Sequence, residues 1–198
     1  MKKPATLAIF FVSLLFVFAI YRSTSQGTNT IINAQSGTVP LVTTNKQISE
    51  QPSSDGTVKL TIKNQKPVDG NHYSLTVTNL LTKSTKTIFE TTESSIIFYT
   101  IPDNSWSPDN KQFFITKNSP DSLTYLVFKA DGSSYLSDQK FLDIGDLWSK
   151  TKSTLKIKTV TGWGGDNLLI LNTVETSDTA GPNFWFVTSS RSFQQLSR

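Results

Sequence analysis

Residues 7–21 read LAIFFVSLLFVFAIY, an unbroken apolar run between Lys2 and Lys3 on one side and Arg22 on the other. Taken from Pro4 to Tyr21, the run predicts a helix of roughly 27 Å, enough to cross a hydrocarbon core of about 30 Å. Beyond Arg22 this pattern ends. Residues 23–56 are about two thirds Ser, Thr, Asn, Gln or Gly, too polar to offset the entropy of ordering, and are expected to be a flexible stalk. A strand formed by Ile31, Ile32 and residues 39–42 is the other reading of that stretch. From residue 57 to residue 198 short runs of alternating or continuous apolar residues, separated by small polar turns, predict β-strands and no long helix.

The turns recur. Ser54-Asp55-Gly56, Pro108-Asp109-Asn110 and Gly165-Asp166-Asn167 each precede a strand, at residues 58–62, 113–116 and 168–171, and their aspartates are 54 and 57 residues apart. Asp-Gly and Asp-Asn tolerate the positive φ of a tight turn. Further strands are expected at 73–77, 125–128 and 184–187, then, after a second polar turn, at 86–89, 135–137 and 193–196. The middle turn of that second set holds Asp131-Gly132. Strands at 96–101 and 155–160 precede the second and third aspartates. The unit is therefore four antiparallel strands, repeated about three times.

The stretch WSPDNKQFFI at residues 106–115 resembles the WSPDG-K-x-I-x-F segment of the TolB-type, WD40-like β-propeller repeat, also found in dipeptidyl-peptidase-type propellers. LVFKADG at 126–132 is similar to the strand and D-x-D-G turn that follows there, and GWGGDNLLI at 162–170 is a looser copy. The resemblance implies blade-like units whose repeat residues are Trp106, Pro108, Asp109, Trp163, Asp166, Asp55, Gly56, Asp131 and Gly132, with Trp106 structural. Closed propellers use typically 4 to 8 blades. Three units imply a partial propeller with open edges for a partner or second copy, or else a β-sandwich.

The formal charge is +4. Taking Lys2, Lys3 and Arg22 from the 19 basic residues leaves 16 against 15 acidic residues, so the part beyond the apolar run carries +1. Basicity is thus a topology signal, placing the N-terminus in the cytoplasm and the rest outside, and nucleic acid is not an expected partner. Cleavage after Ser25, giving a secreted protein, is the alternative to a retained anchor. The absence of cysteine leaves no disulfide and no thiolate metal site, a pattern associated with bacterial surface proteins.

Candidate chemistry is sparse. The one histidine, His72, is expected in a turn, with no Gly-x-Ser-x-Gly elbow to complete a triad. Glu90 with Glu93, and Asp143 with Asp146, are carboxylate pairs of the type glycosidases use, although residues 143–150 look like a short helical turn with its caps. Trp148 and Trp185 are the candidate binding aromatics, since exposed indoles offer rigid area to a sugar ring or a partner side chain. The expectation is an all-β, membrane-anchored, extracytoplasmic, non-catalytic module without cofactor. It would bind or scaffold a protein partner, or self-associate through an open sheet edge. A carbohydrate-directed envelope protein, lectin-like or a weak hydrolase, is the alternative.

Overall fold

Strand β2 (Val58–Gln65) alternates apolar and polar residues as VKLTIK, and it sits in the first of three sheets of a computed structural model that describes residues 46–66, 70–151 and 153–196. Around it are β1 (Lys46–Pro52), β3 (Asn71–Asn79) and β4 (Thr85–Glu93), in the order β1-β2-β3-β4. The second sheet holds β5 (Phe98–Thr100), β6 (Gln112–Ser119), β7 (Ser122–Lys129) and β8 (Phe141–Asp143). The third holds β9 (Lys156–Gly165), β10 (Leu168–Val174), β11 (Phe184–Val187) and β12 (Ser192–Gln195). Every sheet is a four-stranded antiparallel meander of strands consecutive in the chain. Among the described residues the only helix is α1 (Ile144–Ser149), and no helix is long and apolar enough to cross a membrane. The expected spanning segment, residues 4–21, and residues 31–42 lie outside the described residues.

Two cores hold the sheets in a stack. Leu60, Ile62, Tyr73 and Leu75 of the first sheet pack with Phe113, Ile115, Leu126 and Phe128 of the second. Phe114, Tyr125, Val127 and Leu142 of the second pack with Val160, Leu169, Leu171 and Phe186 of the third. Paired residues of an antiparallel ladder share a face, and β6 pairs Phe113 with Phe128 and Phe114 with Val127. The second sheet is therefore covered on both faces, which explains the continuous apolar runs FFI and YLVF where alternation would suit a half-solvated sheet. Phe113 and Phe128 stack at 5.5 Å and 13° and are fully buried. Burying each such ring contributes about 2–3 kcal/mol.

Among the described residues the sheets close neither a barrel nor a propeller ring; they pack face to face through these two cores as three layers. All three sheets belong to one unit, Val42–Arg198.

Three sequence expectations need correction. Residues 46–52 are not stalk: β1 pairs with β2 from Lys46↔Gln65 to Pro52↔Lys59, and Glu50 accepts from Lys59 at 2.8 Å and Thr61 at 3.1 Å. Gln47, Ile48, Ser49 and Glu50 are all exposed, and an edge strand open to solvent draws its stability from the backbone ladder, so polar residues suit it. Residues 135–137 are not the fourth strand of the second sheet. Tyr135 leaves the sheet to donate to Gln112 Oε1 at 2.7 Å, a short turn joins its backbone N–H to Gln139 O, and β8 forms later, at Phe141–Asp143. His72 lies in β3, opposite Gln65 and Thr92, not in the preceding turn.

Candidate functional site

Two of the repeated turns have the same hydrogen-bond network. In the first, Ser53 Oγ donates to Asp55 Oδ1 at 2.6 Å, the N–H of Thr57 donates to the same oxygen at 3.0 Å, and that of Val58 donates to Ser53 Oγ at 3.1 Å. In the second, Ser107 Oγ donates to Asp109 Oδ1 at 2.7 Å, the N–H of Lys111 to the same oxygen at 3.1 Å, and that of Gln112 to Ser107 Oγ at 2.9 Å. The fourth residue of each turn is left-handed: Gly56 at φ +69° and Asn110 at φ +56°. Glycine and asparagine are the residues that take this conformation at least cost. The Ser53 hydroxyl and the Thr57 N–H hold the Asp55 carboxyl below its usual range. Burial pushes Asp109 up, but the Ser107 hydroxyl and the Lys111 N–H outweigh it and leave Asp109 lowered too.

The tryptophans tie each unit to the one before. Trp106 Nε1 donates to the carbonyl of Gln51 at 3.3 Å, and Trp163 Nε1 to that of Ser105 at 2.8 Å. Gln51 and Ser105 each stand two residues before the turn serine, so the two indoles grip equivalent backbone positions. Gly162 permits the second contact. Its φ of +140° and missing Cβ, which would lie 3.0 Å from Asn104 Cβ, let β9 press against the loop that carries Ser105.

Asp166 departs from this pattern. No serine precedes it, β9 and β10 join directly around it, and its backbone carbonyl accepts from Gln112 Nε2 at 3.0 Å. Asp131 caps the second kind of turn by accepting from the Ser133 N–H at 2.8 Å, with Gly132 at φ +68°. Lys83 and Arg191 hold the matching left-handed positions in the first and third sheets, at +61° and +55°.

The repeat residues border two clefts. One, of about 810 Å³, is lined by Asp109, Asp131, Tyr135, Asn167 and Arg191 among others; the other, of about 580 Å³, by Gln51, Trp106, Pro108 and Trp163. Neither assembles a catalytic set. Gln112, buried at the first, is engaged at both ends, to Tyr135 by Oε1 and to Asp166 and Asn167 by Nε2. Burial and the nearby Asp131 push the Tyr135 hydroxyl well above the usual tyrosine range, so it stays a donor.

The carboxylate pairs are engaged in structure. Glu93 accepts from the Tyr99 hydroxyl at 2.6 Å and Lys117 at 2.9 Å. Asp143 is the N-cap of α1, accepting from the N–H of Asp146 at 3.1 Å and from Thr124 at 2.6 Å, and Asp146 pairs with Lys150. Glu90 sits opposite Ser74 in the first sheet. The nearest polar partner of His72 is Thr92, at 3.2 Å. Among the described residues no three His, Cys, Asp or Glu side chains gather as metal ligands.

Trp148 is a core residue and not an exposed binding aromatic. It is 7% exposed, donates to Leu155 O at 2.9 Å, and meets the rings of Phe184 and Phe193 edge-on at 5.0 and 4.9 Å. One amphipathic turn of helix buries it, which its polar neighbours in the sequence did not signal.

Trp185 is placed differently. It pairs with Ile170 and Gln194, while Leu168 pairs with Val187, so these side chains share the face of the third sheet that looks away from the stack. Gly164 completes this face: a Cβ there would lie 3.4 Å from both Ile170 Cγ1 and Trp185 Nε1. Sequence reasoning did not single out Leu168, Ile170 or Val187. The available signal was the unbroken LLIL and FWFV of β10 and β11. No family model matches the chain, and neither the curated proteins nor the solved structures searched contain a match.

Proposed function

We propose that this chain is a membrane-anchored, extracytoplasmic, non-catalytic β-repeat module that binds or scaffolds a protein partner at the cell envelope. The observation that carries this reading is the contrast between the outer faces of the stack. The outer face of the first sheet carries Glu50, Lys59, Thr61, Lys63, Ser74, Thr76 and Thr78, a polar surface, with Thr61 and Thr76 buried within it, of the kind that caps a repeat array. The third sheet ends in Leu168, Ile170, Trp185 and Val187. Its strands have the composition of a sheet covered twice, yet among the described residues they are covered once. A partly exposed apolar face of this kind, with a tryptophan at its centre, suits a protein interface.

The blade-like reading rests on the resemblance at residues 106–115 and on the matched turns and tryptophan contacts. The apolar run at 4–21 and its flanking lysines support the anchored topology. A carbohydrate-directed role now has one candidate platform, Trp185, and the carboxylate pairs favour no hydrolase because three of the four acids have structural partners.

The test is sedimentation of the full chain, solubilised in mild detergent from its own membranes, alongside the Trp185→Ala variant. Wild type is expected in a particle larger than detergent-bound monomer, and the variant to lose most of it, since an interface tryptophan carries 2 kcal/mol or more, about thirtyfold in affinity. Monomer-sized sedimentation of wild type would contradict the reading.

A further inference from the structure

We infer that two copies of this chain join through the open edge of β1, antiparallel and centred on Ile48, so that their two first sheets become one. This contact is separate from the outer face of the third sheet. Of the six edge strands, five are guarded. β5 and β8 have three residues and β12 has four. β9 pairs with register shifts at three places. β4 has a shift between Leu75 and Thr76 of its neighbour, and the turn at Gly132 lies against its Lys86 and Ile88. Short strands, bulges and covering loops are what keep sheet edges from pairing. Among the described residues β1 has none of these. Its seven residues pair with β2 without a shift, and residues 47–50 are exposed.

The ladder fixes which backbone groups are open. The N–H of Ser53 donates to Val58 O at 2.8 Å, and hydrogen-bonded pairs alternate with unbonded ones along an antiparallel ladder. Gln51, Ser49 and Gln47 therefore turn their N–H and C=O groups to Leu60, Ile62 and Asn64. Those of Glu50, Ile48 and Lys46 point away from β2, to the open edge. A second β1 has to offer its own outward residues in return, so the register slides only in steps of two residues.

One register makes the strand its own complement. With Ile48 opposite Ile48, Lys46 of each copy stands opposite Glu50 of the other, and every outward residue of the three exchanges both of its backbone hydrogen bonds. Opposite charges directly across a ladder stabilise it. Ile48, 53% exposed, gains an apolar neighbour. Glu50 already accepts from Lys59 and Thr61, yet 43% of its side chain is exposed. One step in either direction sets Ile48 against a charged residue, Glu50 or Lys46. The step toward Glu50 also brings Pro52 opposite Lys46, where the missing N–H forfeits a bond at each end. A self-complementary edge is what a two-fold contact between identical chains requires.

The chain contains no cysteine, so Ile48→Cys in the full chain, oxidised mildly in its own membranes, reports this pairing as a disulfide between copies. Residues paired in this way have Cα atoms about 5.5 Å apart, within disulfide reach. Leu81→Cys, at an apolar residue 88% exposed, measures chance collision. The disulfide at position 48 should form at least about tenfold faster than at position 81. Adding Lys46→Glu to every copy, or Glu50→Lys to every copy, sets like charges opposite each other and should slow it about tenfold. Mixing those two variants under different tags makes both pairs opposite again, so the disulfide should return between the tags, which also shows that both variants fold. Trp185→Ala should leave it unchanged. A rate at 48 no higher than at 81, a disulfide to another protein, indifference to like charges, no recovery in the mixture, or loss with Trp185→Ala would each overturn the pairing. Failure at position 48 with Trp185 intact would leave the partner-binding reading of the third sheet standing.

Discussion

The indole N–H of Trp163 lies 2.8 Å from the carbonyl oxygen of Ser105, 58 residues earlier in the chain. Trp106 makes the equivalent contact with Gln51. Successive sheets are thus stapled at the same place, just ahead of the turn that opens the second strand of the preceding unit. Trp163→Phe keeps an aromatic ring but removes the donor, while the Ser105 carbonyl still accepts from the Phe114 N–H. It should cost one hydrogen bond, about 0.5–1.5 kcal/mol, or roughly 1–6 °C in a domain of this size. Thermal unfolding measures it, and Trp106→Phe should give a cost of similar size.

Phe113 and Phe128, stacked and fully buried between the first two sheets, are where truncation should hurt most. Phe128→Ala is expected to destabilise by about 3–5 kcal/mol. In urea unfolding the midpoint should fall while the slope stays the same.

The turn at Asp109 separates backbone from side-chain effects. Asn110 has φ +56°, so Asn110→Gly should be nearly neutral and Asn110→Ala should cost about 1 kcal/mol. Equilibrium unfolding of the two variants decides this.

Glu93 sets an acid dependence. Burial pushes its pKa up, but the Tyr99 hydroxyl and Lys117 outweigh burial and hold it below the usual range. The folded value is thus lower than the unfolded one, about 4.3. Its contribution is complete above the unfolded pKa and is lost as pH falls through the folded one. Glu93→Gln should therefore be less stable than wild type at pH 7, and the gap should narrow below about pH 4. Urea midpoints at pH 7, 4 and 3 test the sign.

Residues 57–198 advertised their strands well because turns of the Ser-x-Asp-Gly type and the alternation of VKLTIK are local. What depended on distant partners was hidden. The strand KQISEQP is polar because this edge strand is open to water, and nothing in its own composition pairs it with β2. Tyr135 leaves its expected strand for a partner, Gln112, 23 residues away. Trp148 is buried by Phe184 and Phe193, which arrive from the third sheet. The matched roles of Asp55 and Asp109 were legible from spacing. The differing role of Asp166 was not, because it follows from the missing serine and the bulges of β9.

The outer face of the third sheet can be tested directly because the chain contains no cysteine. A single Val187→Cys substitution in the full chain, labelled with a bulky maleimide, reports whether that face is covered. In intact membranes labelling should be slowed at least tenfold relative to the detergent-purified chain, while Thr85→Cys labels at the same rate in both. Equal and rapid labelling of position 187 in intact membranes would contradict a covered face.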